Sequence, residues 1–252
     1  MKINISRDAR PQVRTLLIAT AIALALWFIP YADILTYPFR IFVTFIHEGG
    51  HAIAALLTGN SVESLSVAVN ASGETYTTKG GLISQVLVSS AGYLGATAYG
   101  VLLLLLIRRA VAARIVLIGS AALILALTVG YGLWSPFTVI MGILLSVGLI
   151  AIAKYASPRV ATFFVSFLAV QCVLNALLDL KTVLFLSSPF APSVPTDALN
   201  MANATGIPAM FWAVIWIGIS FLLLSMAMRF YAISRHQKAA QQDLPFDEPL
   251  EV

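Results

Sequence analysis

The sequence predicts an all-α fold, a polytopic transmembrane helix bundle of six or seven spans with one small β-hairpin-like loop. Three observations predict it. Of the 252 residues, 60% are hydrophobic and 10% charged, where a soluble domain carries about a quarter charged residues. The apolar stretches at 82–107, 115–134, 160–178 and 207–228 reach or approach the ~20 residues a helix needs to cross hydrocarbon. These runs are continuously apolar rather than alternating, which argues against a β-barrel.

Taken in order, the apolar segments are 15–35, 37–57, 82–107, 115–134, 137–153, 160–186 and 207–230. The first is interrupted by Pro30 and Asp33, and the second contains Pro38, Arg40 and a polar group described below. Trp134-Ser135-Pro136 leaves almost no loop between the fourth and fifth segments, so those two should form a tight helical hairpin. Two connections are long. The one at 58–81 alternates through Ser64–Val69, turns at Asn70-Ala71-Ser72-Gly73 and resumes at Thr75–Thr78, as a short hairpin does. Because an open sheet edge cannot face lipid, it must lie at the membrane surface or fold against the bundle. The other, 187–206, carries Pro189, Pro192 and Pro195. Residues 1–236 thus read as one membrane domain and 237–252 as a disordered polar tail.

Fifteen Lys and Arg against eleven Asp and Glu leave a net charge of +4. The basic residues cluster at 7–14, 108–114, 154–159 and 229–238, each beside an apolar run. That is the pattern of cytoplasmic helix flanks rather than of a nucleic-acid surface. Seven complete spans would put the first cluster opposite the other three; if one segment before residue 82 does not cross, all four share a side. The single cysteine, Cys172, lies in an apolar run and is read as packing.

His47-Glu48-Gly49-Gly50-His51 carries the chemistry. Four-residue spacing puts both imidazoles on one helical face, where they can hold one Zn²⁺, with Glu48 beside them to take a proton from a water. The remaining histidine, His236, falls in the basic tail. A zinc hydrolase site wants a third protein ligand. Asp179 sits within the apolar segment Val173–Leu180 and is expensive there unless a cation holds it. Asn175, one turn earlier on the same face, can orient Asp179 or position a substrate backbone. Asp197, in Pro195-Thr196-Asp197-Ala198, is the alternative ligand, though its context also reads as a helix N-cap. Ser90–Ala96, rich in small residues, reads as a close-packing face.

These residues resemble the site-2 protease family of intramembrane zinc metalloproteases, in particular its compact bacterial membrane branch. His47–Ala52 matches the family's first motif, followed by a Gly-containing polar loop. Ser90-Ala91-Gly92-Tyr93-Leu94-Gly95 is similar to its Ala-Gly-Pro helix, with Tyr93 where Pro is usual. Asn175–Asp179 is similar to a contracted form of its Asn…Leu-Asp-Gly motif, with Leu180 in place of Gly. The resemblance implies a zinc cofactor, Glu48 as base, and cleavage of a membrane-protein or peptide substrate within or near the lipid bilayer of a bacterial-type cell membrane. Two other classes fit the composition: a membrane scaffold with a metal site, and a transporter whose intramembrane His, Glu and Asp carry ions. A transporter should show internal repeats, and none is seen.

Overall fold

A computed structural model describes residues 10–26, 28–109, 111–187 and 195–232. Their elements run α1 (Arg10–Leu26), α2 (Asp33–Leu57), β1 (Val62–Val67), β2 (Gly73–Thr77), α3 (Leu82–Arg108), α4 (Ala113–Tyr131), α5 (Pro136–Tyr155), α6 (Pro158–Leu186), α7 (Asp197–Thr205) and α8 (Ala209–Ala232). The expected tail, together with His236, lies outside the described residues.

Five helices, α3, α4, α5, α6 and α8, are long and apolar enough to cross a membrane. Of the seven apolar segments, the two whose helices fall short are those interrupted in the sequence. α1 has 17 residues, about 26 Å at 1.5 Å per residue, against a hydrocarbon core of ~30 Å. α2 has 25 residues but carries Asp33, Arg40 and Glu48.

Local chemistry sets the turns between spans. Ser135 and Ser157 cap α5 and α6 by accepting hydrogen bonds from the amides of Thr138 (3.3 Å) and Val160 (3.4 Å). In both, Pro occupies the first helical turn, where its missing N–H costs nothing. The tight α4–α5 hairpin forms as the Trp134-Ser135-Pro136 sequence requires.

Lipid offers no hydrophobic force to drive helices together, so close backbone approach has to hold them. α2 and α3 meet through glycine: a Cβ on Gly50 would collide with the Ala91 carbonyl, and one on Gly95 would sit 3.5 Å from the Gly50 Cα. The small residues of Ser90–Ala96 are this contact. Outward-facing Leu144, Val147, Phe221 and Leu222 on α5 and α8 remain exposed as a lipid-facing surface.

β1 and β2 form an antiparallel hairpin. Its turn is held by the Asn70 side chain, whose Oδ1 accepts from the Ser72 amide at 3.0 Å and hydroxyl at 2.7 Å. The hairpin folds against the bundle. Leu65 and Val67 are buried, and the Val67 amide donates to Thr138 Oγ1 of α5 at 2.8 Å. From α2, Tyr37 donates to the Val69 carbonyl at 2.6 Å and Thr44 to the Ala71 carbonyl at 2.7 Å. These inter-element hydrogen bonds, of which the one to Thr138 is buried, fix the hairpin on the bundle.

Candidate metal centre

His47 and His51 lie one turn apart on α2, as the four-residue spacing requires. Their Nε2 atoms stand 3.1 Å from each other. Asp197 Oδ2 lies 3.2 Å from His47 Nε2 and 3.3 Å from His51 Nε2. Ligands held about 2.0–2.1 Å from a tetrahedral zinc stand roughly 3.3–3.4 Å apart. The three donors therefore already have the spacing of one face of a zinc tetrahedron, and two imidazoles with one carboxylate are a donor set that zinc accepts.

Neighbouring residues shape this face. His51 Nδ1 donates to the Val88 carbonyl of α3 at 2.7 Å. A carbonyl only accepts, so the proton sits on Nδ1 and the Nε2 lone pair is left for a metal. A Cβ on Gly92 would strike the Nε2 atoms of both histidines. Only glycine at that position leaves the space in front of the imidazoles open.

Asp197 arrives from outside the histidine helix, as the first residue of α7. The cap of that helix is Thr196, whose hydroxyl accepts from the Leu199 amide at 3.2 Å. The N-cap reading of Asp197 is thereby corrected: the neighbouring threonine takes that task and frees the carboxylate. α7 is seated by Ala198 and Met201, both fully buried, and ends at Gly206, whose φ of +75° is a left-handed cap that glycine adopts without strain.

Of the two carboxylates that the sequence offers as a third ligand, the structure brings Asp197 to the imidazoles. Asp179 does not join them. On α6 it is exposed to an adjoining cavity of about 390 Å³, whose wall includes Arg40, Asn175 and His47, but it is not among the three donors that converge. An apolar helical window fixes average burial, not the face a single residue presents. Asn175 donates to the Gln171 backbone carbonyl at 2.8 Å and to Gln171 Oε1 at 3.0 Å, so both its described bonds run along its own helix.

Glu48 is buried and borders both this cavity and a larger one of about 760 Å³ that opens over the histidines. Its carboxylate accepts a 2.7 Å hydrogen bond from Thr75 of β2. Gly73 brings the strand close enough for this; a Cβ there would come within 2.6 Å of Glu48. β2 forms part of the larger cavity's wall, and its edge away from β1 pairs with no strand among the described residues. Thr75 and Gly73 escape sequence reasoning, because nothing in their local pattern announces what they touch across the fold, whereas Gly92 falls in the helix that resembles the family's Ala-Gly-Pro motif.

A family model described as Peptidase M50B-like matches residues 17–227. No curated protein and no solved structure matches the chain.

Proposed function

The chain belongs to the Peptidase M50B-like family, and from that premise we propose that it is a membrane-embedded zinc metalloprotease that hydrolyses peptide bonds of membrane-protein substrates within or near the bilayer. The observation that carries this reading is the convergence of His47, His51 and Asp197 on one point, with the carboxylate of Glu48 on the wall of the same cavity. His47, His51 and Asp197 are the residues that would hold zinc, which supplies a Lewis acid for the scissile carbonyl and acidifies an attacking water.

Glu48 takes the proton of that water as its oxygen attacks the carbonyl carbon, and returns the proton to the leaving nitrogen as the C–N bond breaks. The Thr75 hydroxyl holds one carboxylate oxygen and leaves the other for this exchange. The free edge of β2 offers backbone groups to an extended peptide, so a substrate helix unwound at the site regains hydrogen bonds there. The five apolar helices support an integral membrane protein, and the resemblance supports a bacterial-type cell membrane as its residence.

The test is cleavage of a quenched peptide bearing an apolar segment, by purified protein in nanodiscs with zinc. Glu48→Gln should keep its zinc and lose cleavage. A Glu48→Gln protein that cuts at the wild-type rate overturns the reading.

A further inference from the structure

Tyr93 follows Gly92 on α3, so it stands one residue from the gap into which the two imidazoles converge. Its ring packs edge-to-face on His47, with centroids 4.6 Å apart and planes at 77°. Trp216 of α8 lies beside it, with centroids 5.7 Å apart. Trp216 is itself fully buried and fixed by its Nε1 donating to the Ser90 hydroxyl at 3.1 Å. The phenol ring is therefore clamped between a ligand residue and a rigid indole.

Its polar end is unused. Among the described residues the Tyr93 hydroxyl makes no hydrogen bond, so it is free to meet a group that enters from the cavities. Tyr93 borders both cavities, as His47 and Glu48 do. The carboxylates of Asp197 and Glu48 line the larger cavity with it, and those of Glu48 and Asp179 the smaller one. With an ordinary value of about 10, a phenol carries its proton at neutral pH. The site thus holds, in Tyr93, an O–H donor on a ring fixed by packing, and its partner can come from what occupies the cavities.

We propose that Tyr93 is a catalytic residue: its hydroxyl donates a hydrogen bond to the scissile carbonyl oxygen as that oxygen becomes negative. This rests on the proteolytic reading above. Tyr93 keeps its own proton throughout; the water proton goes to Glu48 and on to the leaving nitrogen. A donor fixed in advance stabilises the developing charge without reorganising, and removal of one such donor costs about 100-fold or more in turnover. The departure from the resembling motif, tyrosine where proline is usual, thereby gains a chemical purpose.

Tyr93→Phe keeps the ring against His47 and removes only the hydroxyl. In zinc-loaded full-length protein, kcat on the quenched peptide should fall about 100-fold with KM within about twofold. A phosphinic peptide of the same sequence, a tetrahedral mimic, should bind more weakly by a similar factor. Zinc content and melting temperature should match the wild type. Unchanged kcat and unchanged phosphinate affinity in Tyr93→Phe overturn the inference alone. Loss of zinc or of folding in Tyr93→Phe also overturns it, since the hydroxyl would then be structural. A wild-type protein that holds zinc yet neither cleaves the peptide nor binds the phosphinate overturns the proteolytic reading, and Tyr93's role with it.

Discussion

Thr75 of the hairpin donates a hydrogen bond to the Glu48 carboxylate over 2.7 Å, so the β-hairpin is fastened directly to the residue positioned as base. The hydroxyl also lies 3.2 Å from the Glu48 backbone carbonyl. A hydrogen bond to a charged group contributes about 1.5–3 kcal/mol. Thr75→Val, equal in shape but without the donor, should therefore lower kcat roughly 10-fold or more while leaving zinc content unchanged. Thr75→Ser should restore most of the rate. Equal turnover in all three proteins would show that the hairpin does not hold Glu48 in working geometry.

His47, Glu48 and His51 were legible because helical periodicity alone places them together. The bundle was legible too, since hydropathy reports long apolar helices, and the weaknesses of 15–35 and 37–57 reappear as a short α1 and a charged α2. The third member of the convergent group, Asp197, was legible only as the alternative ligand, ranked behind Asp179. Asp197 lies 150 positions from His47, after a proline-containing connection, and its neighbours Thr196 and Ala198 look like any helix start. Which hydroxyl caps and which carboxylate reaches inward is decided by the packing of α7 on α3 and α8, and no local pattern records that.

Gly92 marks the space before the imidazoles. A methyl group there would strike both Nε2 atoms. Gly92→Ala should leave the bundle folded in detergent but lose most of its zinc, measured by elemental analysis beside a His47→Ala, His51→Ala double variant. Full zinc occupancy in Gly92→Ala would mean the ligands converge elsewhere.

The basic segments at 108–114, 154–159 and after 228 should share one side of the membrane. Arg114 Nη2 donates to the Ala156 carbonyl at 3.2 Å, joining the start of α4 to the end of α5. Arg108 Nε donates to the Phe230 carbonyl at 3.2 Å, joining the ends of α3 and α8. The positive-inside bias makes that side cytoplasmic. Single cysteines at Arg109, Arg159 and Lys238, in a Cys172→Ala background, should react with an impermeant reagent only after the cytoplasmic face is exposed. Labelling of any one from the opposite face refutes this arrangement.

The choice between Asp197 and Asp179 is open to the same kind of measurement. Asp197 Oδ2 stands within 3.3 Å of both imidazole nitrogens, whereas Asp179 opens into the cavity shared with Arg40 and Asn175. Neutralising the carboxylate beside the histidines removes both a donor atom and the charge that favours a dication. Asp197→Asn should therefore lower zinc affinity by more than 10-fold and abolish cleavage. Asp179→Asn should retain zinc, because no donor of the convergent group is altered. Both must be compared at matched expression and melting temperature, since a buried carboxylate near two imidazoles also contributes to folding. Zinc retained by Asp197→Asn and lost from Asp179→Asn would mean that α6 must turn Asp179 toward the histidines when metal binds, displacing α7 from the position it holds in the structure.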